Sequence, residues 1–424
     1  MKKALGVLLI VLVAFLLVGC KKDKDEGFKP SLDKEVTGVV NIVGHYESFE
    51  ALEEEFNRFN EYYPNVELKY TYLDNYNRVI ATTLAGDKAP DIYFTYSWMM
   101  NDASYDSLFT NALDLSDESL KINLSCIRDG LLSKDKYGKV SIVPIYTTTY
   151  GMMVNENIFE KEGIAIPKTY NELLSACEKL KQAGYAIPVM GYNNENTSML
   201  YSLFFPHFCG SIANDKDAIA SLNNLEAGAG EYMRSSLNIV SDFISRGYVN
   251  LEECNALAND YNAVIMRFFE GDVPMMFSSV NTVSGTKKRE IKSEAFTANP
   301  FSYSFYPVPS TDQGGYFLNN VSIGFSVNKN SANLEVTNEF MRFLVTTSEL
   351  NAMAQNKRMV SPSKEMDLKD IYRAFGEMSD NRMIYLYELG LADAPDVQMR
   401  RAGAQVTNGK MTVDEAVSAF GTFK

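Results

Sequence analysis

Between Gly138 and Asn155 the chain reads Gly-Lys-Val-Ser-Ile-Val-Pro-Ile-Tyr-Thr-Thr-Thr-Tyr-Gly-Met-Met-Val-Asn. Its β-branched and aromatic residues favour a pleated backbone, while Pro144 removes one ladder donor and Gly151 loosens the chain near the middle. The stretch is extended but interrupted, and two arrangements satisfy that. It is an edge strand carrying a proline, or it is a strip crossing between two lobes, where the backbone bends and side chains such as Tyr146 and Thr148 face a cleft.

The residues before it alternate in a simple way. Gly38 to Val43 is a short apolar run bounded by glycines and reads as a buried strand. The polar turn Gly44-His45-Tyr46-Glu47-Ser48 follows, and then Phe49, Leu52, Phe56 and Phe59 share a helical face with Glu53, Glu54 and Glu55 largely off it. Val66 to Leu73 gives a second strand, Tyr76 to Leu84 a helix, and the run ending Pro90-Asp91-Ile92-Tyr93-Phe94 a third strand. Such alternation predicts an α/β class with a parallel sheet flanked by helices. Ligands of open sheets sit beyond the carboxyl ends of the strands, which selects His45, Tyr46 and Glu47 after the first strand and Tyr96 and Trp98 after the third. Trp98 is the only tryptophan in the chain, and a flat ring beside a cleft suits the apolar face of a sugar. Its alternative role is a core or surface anchor.

After the interrupted stretch come Asn155-Glu-Asn-Ile-Phe159-Glu-Lys-Glu-Gly163-Ile164 and Pro167-Lys-Thr169-Tyr-Asn-Glu172-Leu173, where Thr169 and Glu172 form a capping box opening a helix through Ala183. Together with Gly86-Asp87-x-x-Pro90-Asp91, Phe268-Phe-Glu-Gly271-Asp-Val-Pro-Met275-Met-Phe277, Phe305-Tyr-Pro307-Val-Pro309-Ser310 and Asn356-Lys-Arg-Met-Val-Ser-Pro362, this order of motifs resembles the extracellular solute-binding proteins of ABC transporters. The group it resembles is the sugar-binding one related to maltose-binding protein, and the resemblance covers most of residues 36–424.

The resemblance implies a two-lobed periplasmic-binding-protein-like fold of type II, each lobe a mostly parallel sheet flanked by helices, with the ligand cleft between lobes. Residues 36–143 plus 310–357 would form lobe 1, and residues 144–309 plus 358–424 lobe 2. It further implies capture of a sugar or oligosaccharide by hinge closure and delivery to the permease subunits of the transporter. Tyr192 and Asn194, in the turn after the strand Ala186–Met190, can stack on and hydrogen-bond a polyol, although Asn and Gly also serve plain turns. Ser278 and Asn281 stand at the delivery end of the Met275–Phe277 strand, and Asn320 returns to the cleft after the second crossing. Family members often place a glycine and a tryptophan where this chain has Ser278, Ser279 and Asn281, which leaves open a peptide or another polar metabolite as the ligand.

At the other end of the chain, Lys2 and Lys3 precede an apolar run from Ala4 to Val18, and Gly19 precedes Cys20. Residues 1–19 read as an export signal, and Leu17-Val18-Gly19-Cys20 resembles a lipoprotein signal, with lipid carried on Cys20 and residues 20–35 a charged tether. The expected location is outside the cell membrane, anchored to it, and the expected state a monomer. The net charge is −14, and loss of Lys2 and Lys3 with the signal gives −14 − 2 = −16, which argues against a nucleic acid partner. Cys126, Cys177, Cys209 and Cys254 lie far apart with no disulfide framework or zinc spacing. His45 and His207 are the only histidines, so neither a metal site nor a Ser-His-Asp relay assembles easily. Ala227-Gly-Ala-Gly230 lacks the Lys and Ser/Thr of a phosphate loop. No cofactor and no catalytic residue is expected. The rival from another class is a surface glycan hydrolase using Glu47 and Asp102 as paired carboxylates, whose separation a sequence does not show.

Overall fold

The computed structural model describes residues 27–257, 260–368 and 370–423, so the expected signal, Cys20 and the first part of the tether lie outside the described residues. Ten strands are described: β1 (Gly38–Gly44), β2 (Val66–Tyr72), β3 (Ile92–Thr95), β4 (Val143–Thr148), β5 (Tyr150–Asn155), β6 (Val189–Gly191), β7 (Met275–Ser279), β8 (Tyr303–Tyr306), β9 (Phe317–Val327) and β10 (Met383–Tyr385). They form two sheets, a larger one ordered β10-β9-β3-β1-β2 with β4 also on β9, and a smaller one ordered β6-β7-β5-β8.

Both sheets are mixed. The βα units at the start of the chain supply parallel pairs, β1 with β2 and β1 with β3. The strands adjoining the passages between sheets supply antiparallel ones, β9 with β3 and β4, and β5 with β7 and β8. A chain that re-enters a sheet from the gap runs against the strands that point toward it. The expectation of mostly parallel lobes therefore fails for the smaller sheet, where β6–β7 is the one parallel pair described.

The chain changes sheets at Thr149, the residue between β4 and β5. Pro144–Thr148 and Met383–Tyr385, assigned to the second lobe from sequence, pair with β9 in the larger sheet. The interruption comes from register shifts around Tyr146, not from Gly151. A Cβ at Gly151 would lie 2.5 Å from the Tyr306 carbonyl and 2.7 Å from the Phe305 ring, so that glycine permits close packing of β5 on β8. The second passage, residues 307–316, is not a straight link either: Thr311 and Gly314 close a tight turn, with Gly314 at φ +104°.

Two further expectations change. The tether was expected to run to residue 35, yet the Phe28 ring sits edge-on to Tyr62 at 5.1 Å and Phe343 at 5.4 Å, and Ser31 donates to the Glu339 carboxylate from both N and Oγ at 2.7 Å. Phe28 and Leu32 bring the apolar surface that the charged residues before them lack. On the helix Glu50–Tyr62, Leu52 and Phe59 are buried as expected, but so is Glu55. Arg58 bonds it and also Glu349, at 2.7 Å for the latter. Burial, reinforced by the nearby Glu349 carboxylate, pushes the Glu55 pKa up to about 9.

A raised carboxyl pKa means that the folded chain holds a proton the unfolded chain releases between its ordinary value and about 9, so stability falls as pH rises through that window. Glu55→Gln is expected to raise the melting temperature relative to wild type at pH 9 and to change it little at pH 5. An equal difference at both values would contradict a proton on Glu55.

Candidate functional site

The larger sheet points the carboxyl ends of β1 and β3 at the gap between sheets, and the smaller sheet points β6 and β7 at it, with Tyr150 opposite Ser279 on β7. The residues just past these ends form two facing walls.

On the first wall, His45 lies against Tyr46 at 4.3 Å and Phe94 at 5.6 Å, and its Nδ1 meets the Tyr96 hydroxyl. Burial, with Lys357 adding repulsion, lowers the His45 pKa to about 4, while burial raises that of Tyr96. The protonated Tyr96 hydroxyl and the neutral imidazole therefore share a hydrogen bond. Lys357 Nζ lies 4.4 Å above the Tyr46 ring, and the Tyr70 hydroxyl bonds the Tyr46 backbone at both N and O. Beyond β3 the Tyr96 and Trp98 rings stack at 5.9 Å and 18°, and Tyr105 braces Trp98 edge-on at 5.2 Å. Trp98 is nonetheless 40 % exposed, so its position is fixed while part of its surface stays open. Ser97 Oγ donates to Asn320 Oδ1 at 3.4 Å, tying this wall to β9.

The second wall carries residues that the sequence reading did not select. Tyr150 meets Tyr201 edge-on at 5.2 Å, and Tyr201 stacks on Phe205 at 4.7 Å and 13°. The Tyr201 hydroxyl donates to Asp396 at 2.5 Å, and Arg400 binds the other Asp396 oxygen while lying 5.7 Å over the Tyr201 ring. Asp393 on the same helix has its pKa raised by burial first, then by Asp396. The spacing of Asp396 and Arg400, one helical turn, was readable as an ion pair. Their wall was not, since it depends on how the helix Asp393–Thr407 packs on Tyr201, with Asp396 195 residues further along the chain.

Other expected residues fall in different places. Tyr146 is fully buried beside Phe49, with its hydroxyl unpartnered, because strand alternation turns it to the core and not to the gap. Glu47 is exposed on the turn after β1. Asn194 accepts from the backbone N of Asn196 and Thr197 at 2.8 Å, closing its own turn, and donates to the Tyr192 hydroxyl. Tyr192 packs edge-on against Tyr261. Thr148 and Ser278 carry buried hydroxyls without partners at the gap edge of β4 and β7. Asn281 accepts from Ser322 Oγ at 3.1 Å, a contact from one side of the gap to the other. Hollows of about 630 and 810 Å³ lie along the second passage, lined by Pro307, Pro309, Tyr316 and Arg382 among others, and none of the expected ligand residues lines them. A gap between two walls encloses space only when the walls meet, so these hollows do not displace it as the candidate site.

Residues 44–349, more than half of the chain, match the sequence profile of the bacterial extracellular solute-binding protein family. The melibiose/raffinose/stachyose-binding protein MelE of Bacillus subtilis is 24% identical over 204 residues, 47% of this chain and 46% of MelE. The chain thus matches about half the length of that relative. The apo-form of RafE from Streptococcus pneumoniae superimposes with a TM-score of 0.69 at 16% identity, covering 92% of this chain and 98% of RafE. The sugar-binding protein MalE from Xanthomonas citri gives 0.68 at 16% identity, with coverages of 90% and 95%. These structures share the fold.

The first wall makes a direct prediction. Because the folded His45 pKa is depressed, acidification charges the ring only against burial, and stability is lost as pH falls from about 6.5 through about 4. An NMR titration should show one histidine with a midpoint near 4, absent in His45→Gln. A midpoint at the ordinary value near 6.5 would show the ring hydrated and the wall wrongly described.

Proposed function

The chain belongs to the bacterial extracellular solute-binding protein family, and from that premise we propose that it captures a carbohydrate between its two walls and delivers it to the permease of an ABC importer. The family is extracellular, and the protein is exported. Retention at the membrane through lipid on Cys20 is part of the proposal, resting on the Leu17-Val18-Gly19-Cys20 motif.

The observation that carries the reading is the braced, part-exposed Trp98 past the end of β3, together with the Tyr150–Tyr201 pair and its Asp396–Arg400 ion pair at the start of β5. Ring faces suit the C–H faces of a sugar, and an ion pair beside them offers acceptors and donors for its hydroxyls. Each sugar hydroxyl left unpaired on burial costs roughly 1 to 3 kcal/mol, so full contact from both walls decides affinity. Ligand touching both walls favours the closed population, the mode of action of periplasmic binding proteins. Relatives named for raffinose and stachyose make an oligosaccharide of that kind the first candidate.

In the hydrolase reading, hydrogen bonds from Ser104 Oγ and N hold the Asp102 carboxyl below the usual range, which assigns it the ionised role of the pair and not that of general acid. Family members bind their ligand, and no bond making or breaking is proposed for this chain.

Calorimetry with raffinose as the probe should show saturable, one-to-one binding without turnover. Trp98→Ala should weaken it at least tenfold, about 1.4 kcal/mol, with the melting temperature of the free protein nearly unchanged. Equal affinity in both proteins would remove Trp98 from the site, and release of monosaccharides would restore the hydrolase.

A further inference from the structure

Arg128 is carried by a short turn, Asp129–Leu131, pressed so closely on Tyr385 that a Cβ at Gly130 would fall 2.4 Å from its ring. The backbone N of Arg128 donates to Pro362 O at 3.1 Å. Its guanidinium, in a residue only 6 % exposed, donates from Nη1 to Ser363 O at 2.8 Å and from Nη2 to Asn319 Oδ1 at 3.1 Å and Thr147 Oγ1 at 3.3 Å. Thr147 Oγ1 in turn donates to Val360 O at 3.2 Å and accepts from Asn319 Nδ2 at 3.2 Å. Thr147, Asn319 and Ser363 are all fully buried. Among the described residues no carboxylate pairs with Arg128, and the Tyr385 hydroxyl is the other polar group that acts on its guanidinium.

The partners have one thing in common. Thr147 lies two residues before the chain leaves the larger sheet at Thr149, Asn319 lies just after it returns by the second passage, and Val360 to Ser363 follow the helix Thr347–Lys357 on the third. One planar fork thus touches the first two connections and the strip that follows the helix Thr347–Lys357. Nearer the smaller sheet along the first two connections, Thr149 Oγ1 and Ser310 Oγ are buried without partners among the described residues. A buried charge without a counter-charge carries a desolvation penalty of several kcal/mol, and a core that needed only packing would be served as well by an apolar side chain.

We propose that Arg128 is a positioning residue for lobe closure: its guanidinium clamps the larger-sheet ends of three of the connecting strips, so that bending is confined to the residues beyond the clamp and the lobes turn as one pair. The proposal rests on the two-walled closing reading above. A lysine does not replace the clamp, because a single ammonium does not reproduce the fixed fork that reaches Ser363 on one side and Thr147 with Asn319 on the other.

The test is the distance between the two sheets in the protein without ligand. Spin labels on Tyr72→Cys and Tyr232→Cys, both at exposed positions, report it in a Cys20→Ser background, since the thiols of Cys126, Cys177, Cys209 and Cys254 are buried. Well below the melting temperature, wild type should give a narrow distance distribution. Arg128→Met and Arg128→Lys should broaden it into overlapping populations, and Thr147→Val, which keeps shape and loses the shared hydroxyl, should broaden it less. A lowered melting temperature with the distribution unchanged in these variants would overturn the proposal and leave Arg128 a plain stability residue. Should Arg128→Met fail to fold, Thr147→Val and Arg128→Lys decide by the same readout. The measurement uses no sugar, so its failure leaves the carbohydrate reading standing, and failure of raffinose binding leaves the clamp standing.

Discussion

A chain that passes repeatedly between two sheets has to satisfy its backbone at every passage, and the rest of this structure follows from how it does so. On the first, Thr147 N donates to Val360 O at 2.9 Å, and Val280 N to Thr149 O at 3.0 Å. On the second, Thr311 and Gly314 exchange hydrogen bonds in a tight turn. On the third, Arg128 N reaches Pro362 O. The first and third passages thereby join each other on the larger-sheet side, and the second joins them through Asn319 and Thr147. The two sheets are linked through hydrogen-bonded strips, with the gap between them left to side chains.

That arrangement decides what the gap can hold. Strand ends from both sheets open into it, and the residues just beyond them are aromatic or paired: Tyr96, Trp98 and Tyr105 on one side, Tyr150, Tyr201, Asp396 and Arg400 on the other. Rings braced by other rings lose little freedom on meeting a ligand, so more of the contact energy remains as affinity. The charges are largely internal to each wall. His45 is kept neutral by burial and Lys357, and Asp396 is bonded to Arg400 and Tyr201. A neutral, hydroxyl-rich guest suits such walls better than a highly charged one.

Much of the architecture was legible in the sequence because it is written locally. The βα alternation from Gly38 to Phe94, the capping box at Thr169, and the strip after Gly138 each announce themselves through residues near one another in the chain, and each forms. What was not legible depends on partners distant in sequence. Glu55 reads as a surface acid until Glu349 and the larger sheet bury it, Tyr146 reads as a cleft residue until its register on β9 turns it inward, and Gly151 reads as slack until β8 packs on it. The site divides in the same way: Trp98 and Asn320 follow from strand ends, whereas Tyr201, Asp396 and Arg400 meet only because a helix near the end of the chain packs on one near its middle.

The central claim is that two lobes swing together over a sugar, and solution X-ray scattering tests it most directly. Adding a saturating oligosaccharide, identified by calorimetry, should reduce the radius of gyration and sharpen the scattering profile toward that of a compact particle. A profile that stays the same at full occupancy would contradict closure and with it the account of why the chain crosses between sheets where it does.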